Sequence, residues 1–232
     1  MVYLSIKEGD FIRLSYTGEY NGTVFDTTNS ETAKEWGIYN PQSSYGPITV
    51  RVGGSHVVKG IDLELAGKDA GYEGEIIVPP ELGFGNYDES KLESFPKKVF
   101  KENPKPGMQV RIENKGSGVI VRVIGGRAIV DSNNSLAGKT LNYKIKIEDL
   151  VESPEEKVKG IIELFTGHSL DVSLTEGKLQ IELPAGIGYD QAWLIWRGRI
   201  IHEIWQFLSE VQEITFVETI RREEKNKEEV SD

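Results

Sequence analysis

The chain has no cysteine, which excludes disulfides and thiol chemistry outright. Histidine is nearly as scarce: only His56, His168 and His202 occur among 232 residues. Positive charge is in deficit too, with 27 Lys and Arg against 37 Asp and Glu and a net charge of −10. A chain of that sign lacks the dense basic stripe that grips a phosphate backbone, so no nucleic-acid partner is expected. No apolar run approaches the ~20 residues needed to cross a bilayer, and Met1 to Asp10 hold no basic segment leading into an apolar one. The expectation is a cytoplasmic protein with no membrane partner.

What is present suits ordinary globular domains. Hydrophobic residues make up 38% and charged residues 28% of the chain, enough for two or three small cores. Phe11–Tyr16 alternates apolar and polar residues as a half-buried strand does, and Asn21-Gly22 signals a tight turn into Thr23–Asp26. The polar stretch from Thr27 to Gly46 shows no periodicity and reads as a long loop. Ile48–Val52 alternates again, Ile61–Ala66 suits a short helix stopped at Gly67, and Gly74–Val78 reads as a strand ended by Pro79-Pro80.

The pattern then changes. Ser94–Phe100 reads as a short helix or turn entered through Pro96, and Gln109–Glu113, Gly118–Ile124 and Arg127–Asp131 as three strands, the last two joined by Gly125-Gly126. Leu141–Ile147 is a further alternating strand. Ser153-Pro154 followed by two glutamates is a helix start, with a cap, a first-turn proline and acids facing the dipole. Leu170–Leu174 and Lys178–Leu183 read as a hairpin around Glu176-Gly177, Ile187 to Leu208 as one long Trp-rich helix, and Glu213–Ile220 as a last strand before a solvated charged tail, 221–232.

Five fragments in order carry a specific resemblance: Tyr16-Thr-Gly18, Gly22-Thr-Val-Phe-Asp26, Gly53-Gly-Ser-His-Val-Val-Lys-Gly60, Pro80-Glu-Leu-Gly-Phe-Gly85, and Val130-Asp-Ser-Asn-Asn-Ser-Leu-Ala-Gly-Lys-Thr-Leu141. In spacing, and with Phe95–Phe100 opening an insert, they resemble the FKBP-type peptidyl-prolyl isomerases of the SlyD-like kind over residues 3–151. The extra C-terminal part resembles the long archaeal members. The resemblance implies an α+β chain in three parts. An FKBP half-barrel, an antiparallel sheet around a short helix, takes residues 1–86 and 132–151. A small all-β insert-in-flap domain takes 87–131, and a C-terminal α+β domain takes 152–232.

By the same resemblance, Tyr16, Asp26, Val58 and Phe84 are the catalytic positions. Phe25, Val57, Ile61 and Tyr143 line the substrate pocket, the Val58 N–H donates to a substrate carbonyl, and Asp26 stands at the pocket wall. Ile61 replaces the tryptophan floor of the drug-binding members, and Phe84 replaces a tyrosine whose hydroxyl bonds the substrate. No cofactor or metal is implied, because rotation about a prolyl amide needs only an environment that favours the twisted form.

Unfolded or proline-containing polypeptides are the implied partners. The insert is expected to hold them through Phe95, Val99, Phe100, Met108 and the Val119–Ile124 run, which offer more apolar surface than so small a unit buries. Near the C-terminus, Trp193, Trp196, Ile200, Ile204 and Phe207 form one helical stripe and Leu194, Ile201, Trp205 and Leu208 a second. A helix apolar on two sides is buried on two sides, either within its own domain or against a second copy, and a homodimer is expected. Two alternatives remain: a holdase with little isomerase activity, and a nickel metallochaperone, although the tail lacks the His and Cys that the latter requires.

Overall fold

A computed structural model describes residues 5–113 and 116–221. Expectations placed on 222–232 lie outside the described residues. The chain runs β1 (Phe11–Tyr20), β2 (Thr23–Thr27), α1 (Ser30–Glu35), β3 (Ile48–Arg51), α2 (Lys59–Leu65) and β4 (Glu73–Val78), then β5 (Leu92–Pro96), β6 (Gln109–Ile112), β7 (Gly116–Ile124), β8 (Arg127–Asp131) and β9 (Leu141–Val151). It closes with α3 (Pro154–Thr166), β10 (Val172–Thr175), β11 (Lys178–Leu183), α4 (Gln191–Phe207) and β12 (Glu213–Glu218).

The first sheet has the order β2-β1-β9-β4, with β3 on the same edge of β1 as β2. Its pairings are antiparallel. Alternation does the sorting: Ile12 and Leu14 on β1 and Leu141, Tyr143, Ile145 and Ile147 on β9 form one core with Ile61 and Leu65 of α2. Asn21 (φ 49) and Gly22 (φ 75) close the β1–β2 hairpin in the left-handed pair that two-residue turns require.

A register shift between Arg13 and Leu14 opposite β9 leaves Glu148 outside the ladder as an extra residue. This extra residue turns the end of β9 over, so Leu150 packs on the sheet's own core while Val151 joins Phe11 in the C-terminal core. The outer face at this end, including the buried Thr49 and Arg51 of β3, therefore lies under the C-terminal helices. A Cβ on Gly160 of α3 would collide with the Thr49 side chain, so the two layers meet at backbone distance.

The second sheet, β5-β8-β7-β6, is antiparallel with Ile120, Ala128 and Val130 as its buried centre. The third, β10-β11-β12, pairs β11 and β12 in parallel across α4 and β10 with β11 as a hairpin. Ser153 caps α3 at Pro154 and Gly167 (φ 72) ends it in the left-handed region.

Three expected elements differ. The Thr27–Gly46 loop contains α1, whose turns are set by the Asn29 side chain accepting from Thr32 N at 2.9 Å and by the buried Ala33; six residues are too few for a periodic signal. Ser94–Phe100 is not helical at its start: β5 pairs with β8, and only Lys97–Val99 form a single turn behind Pro96. The helix expected over Ile187–Leu208 is broken at Asp190, whose carboxylate caps α4 by accepting from Trp193 N at 2.7 Å. A short turn over Ile187–Tyr189 precedes it.

Candidate active site

The site forms where β1, β2, β9 and α2 meet. Tyr16 lies on β1, and Tyr143 opposite Gly18 on β9 points into the same core. Phe25 reaches it from β2, Val57 and Val58 from the loop before α2, Ile61 from α2, and Phe84 from the turn after Pro80. The rings meet edge to face: Tyr16 and Tyr143 at 6.1 Å, Phe25 and Tyr143 at 5.7 Å, Phe25 and Phe84 at 6.4 Å between centroids. Ile61, 1% exposed, closes the floor.

Asp26 is exposed at the rim and accepts the Tyr16 hydroxyl at 3.0 Å. Burial pushes the Tyr16 phenol well above its ordinary pKa, and the nearby Asp26 charge and the hydrogen bond to it add to that. Tyr143 is shifted the same way, first by burial and then by Asp26. Both rings thus present neutral hydroxyls. Val58 precedes the first turn of α2, and its carbonyl accepts from Ile61 N and Asp62 N. Among the described residues no acceptor takes the Val58 N–H, which leaves a backbone donor beside the rings.

All eight expected half-barrel positions belong to this one cluster or its rim. Phe95, Val99 and Phe100 do not; they lie on the insert, where Phe95 and Phe100 meet edge to face at 6.5 Å over the small core and Val99 is 51% exposed. Two residues that position the site escaped the sequence reading of roles. A Cβ on Gly18 would stand 2.7 Å from both the Phe25 and the Tyr143 ring, so only glycine lets those rings close together. The buried Asp62 accepts from Gly53 N and Ser55 N, each at 2.9 Å, and fixes the loop that carries Val57 and Val58. Its signal was a carboxylate on the apolar face of a short helix, next to a Gly-Gly loop rich in free N–H groups.

A groove of about 720 Å³ lies on the opposite face of the sheet, lined by Ser15, Thr17, Glu73, Lys144, Lys146 and Tyr45 among others. Its lining is largely charged and hydroxyl-bearing, unlike the ring cluster on the inner face. The three histidines are held separately. His56 is enclosed beside Glu203, His168 lies 3.3 Å from Asp190, and His202 is exposed.

An antiparallel sheet wrapped on one short helix is the half-barrel of the FKBP class. Residues 4–148 match the family described as FKBP-type peptidyl-prolyl cis-trans isomerase, and the chain belongs to that family. Residues 154–221 match the family described as FKBP26_C-terminal. The short-type peptidyl-prolyl cis-trans isomerase of Methanocaldococcus jannaschii is 34% identical over 157 residues, 65% of this chain and 98% of that one. The SlyD isomerase of Haemophilus influenzae is 29% identical over 117 residues, 48% of this chain and 62% of its own length. A solved structure described as that of AtFKBP13 overlaps 65% of the chain at 19% identity and a TM-score of 0.34, too slight a likeness to carry weight. The chain is thus a peptidyl-prolyl cis-trans isomerase of the SlyD-like kind. Among the described residues no helix is long and apolar enough to cross a membrane.

Proposed function

We propose that the chain rotates X-Pro bonds in the ring-lined cleft and couples this to capture of unfolded polypeptide by the insert. The peptide barrier, about 18–20 kcal/mol, comes from amide resonance, and the twisted amide gives up the charge separation that water stabilises. A water-poor cavity walled by Tyr16, Phe25, Val57, Phe84 and Tyr143 over Ile61 therefore favours the twisted over the planar form. The Val58 N–H holds a neighbouring carbonyl, and Asp26 faces the rotating group from the rim. The observation that carries this reading is the convergence of Tyr16, Phe25 and Tyr143 with the Tyr16–Asp26 hydrogen bond at their edge.

The insert supports the second half. Val99, Val121 and Ile124 are 51%, 46% and 57% exposed, and β5 and β6 are edges of their sheet. Apolar side chains beside an unpaired edge suit an extended peptide that adds a strand. The division into 1–86 with 132–151, 87–131 and 152–232 and the expected cytoplasmic setting belong to this proposal, and the presence of three separate sheets supports the division.

The C-terminal domain supplies the homodimer contact in this reading. Trp193, Ile200, Ile204 and Leu208 are buried against α3 and the third sheet, while Leu194 and Trp205 remain 62% and 47% exposed with Ile201 half-buried between them. That second stripe fits a second copy. Light scattering on the chain and on Trp205→Glu checks it: a dimer that becomes a monomer supports the contact, and a monomeric parent mass removes it.

The function is tested by proline-limited refolding of a client protein, with aggregation followed in parallel. The chain is expected to speed refolding and Asp26→Ala to lose most of that effect while still suppressing aggregation. Suppression with no change in refolding rate would leave the holdase reading in its place.

A further inference from the structure

We propose that Glu203, on α4 of the C-terminal domain, is a positioning residue for the isomerase site, acting through His56 on the loop that carries Val57 and Val58. The inference rests on the assignment of that loop to the substrate pocket.

The loop from Gly53 to Val58 is pinned from two sides. On the inner side Asp62 takes the Gly53 and Ser55 N–H groups. Ser55 sits at φ 55, a left-handed conformation that a residue with a side chain adopts only when held there. On the outer side stands the His56 imidazole, 0% exposed. Its Nδ1 accepts the Arg51 N–H at 3.1 Å, so in the neutral ring Nε2 carries the proton. That Nε2 faces Glu203 Oε2 at 3.6 Å, and the same oxygen lies 3.5 Å from Arg51 Nε.

Glu203 is itself enclosed, its side chain 6% exposed, and reaches down from α4, outside the cluster of rings. Every element packed around His56 adds a group to this junction. From β3, the Arg51 guanidinium lies 3.4 Å above the Phe207 ring. From α3, Phe165 meets the His56 ring edge to face at 5.5 Å and stacks on Trp196 at 5.2 Å. From α4, Arg199 lies over Phe165 and 3.7 Å from the other Glu203 oxygen.

Arg51 Nε, His56 Nε2 and Glu203 Oε2 are all shielded from solvent without a hydrogen-bond partner, at separations just beyond bonding range. Buried polar atoms are costly unless they face a partner, so Glu203 holds the His56 imidazole in place, and with it the adjoining Val57 and Val58. A carboxylate in the C-terminal domain thereby sets where the pocket's backbone donor stands.

The test is a double-mutant cycle in the full chain, with kcat and KM measured on an Ala-Pro peptide for Glu203→Gln, His56→Phe and the pair. Each single change is expected to raise KM about fivefold with kcat nearly unchanged, and the pair to do no worse than the larger single. A Glu203→Gln chain with the parent KM, whatever its Tm, overturns the proposal, as do single effects that multiply in the pair. Were the parent itself inactive, the pocket assignment would fall instead. Nitrogen-15 spectra of Glu203→Gln then decide the positioning claim separately, since the Val57 and Val58 amides must shift and stationary amides refute it. Should Glu203→Gln not fold, peptide titrated into the parent chain must move the Glu203 and Trp196 signals; stillness there counts against the coupling.

Discussion

The Tyr16 hydroxyl donates to Asp26 Oδ2 at 3.0 Å across the β1–β2 pair, joining a half-buried ring of the cleft to its rim. Hydrogen bonds to charged groups contribute about 1.5–3 kcal/mol. Asp26→Ala is therefore expected to lower kcat/KM by about tenfold or more. Tyr16→Phe, which keeps the ring, should cost about fivefold for about 1 kcal/mol. Peptide isomerisation kinetics on the two variants check the order; equal losses would show that Asp26 acts only through its bond to the Tyr16 hydroxyl.

Phe84 meets Phe25 edge to face at 6.4 Å and stands where the family resemblance implies a tyrosine. Phe84→Tyr adds a hydroxyl at a half-buried position. That hydroxyl is expected to raise kcat/KM on an Ala-Pro peptide about fivefold, the worth of one neutral hydrogen bond. A fall would mean the new group is desolvated against the apolar wall.

Gly18 has no room for a methyl group, since both pocket rings would lie 2.7 Å from it. Gly18→Ala is expected to destabilise the chain by about 1–3 kcal/mol, as overpacking does. The corresponding loss of Tm is roughly 2–4 °C per kcal/mol. Because the displaced rings are Phe25 and Tyr143, kcat/KM should fall with it. Thermal unfolding and kinetics on the same sample separate this from a purely structural effect.

Burial holds the His56 pKa below its ordinary value, with Arg51 and Arg199 assisting and Glu203 opposing. The unfolded chain then binds a proton at His56 near pH 6.5 that the folded chain refuses. Stability is full above that pH and is lost as pH falls toward the folded pKa. Denaturant midpoints taken from about pH 7.5 to about pH 5.5 should decline for the parent and decline less for His56→Phe. His168 and His202 are common to both proteins, so the difference between the curves isolates His56.

Much of the half-barrel was legible because its strands alternate cleanly and its turns use Asn-Gly and Gly-Gly, where backbone geometry dictates the residue. The candidate site residues could be named only through the spacing of five short fragments; nothing in the apolar pattern distinguishes Phe25 or Tyr143 from ordinary core. Helix α1 was hidden by its brevity and the break at Asp190 by the apolar residues on either side of it, since a capping carboxylate looks like any surface acid until its N–H partner is known. The junction of Arg51, His56 and Glu203 could not be read at all. Glu203 lies far along the chain from Arg51 and His56, and they meet where the extra residue Glu148 turns the end of β9 and the C-terminal helices cover β3.

In the proposed mechanism the inner-face aromatic cleft lowers the barrier to rotation about a prolyl amide. Exchange between cis and trans Ala-Pro peptide, followed by NMR with and without the purified chain, tests it most directly. The expected result is exchange far faster than the spontaneous process, which takes tens to hundreds of seconds, and slower again with Asp26→Ala. Exchange at the spontaneous rate in the presence of folded protein would contradict it.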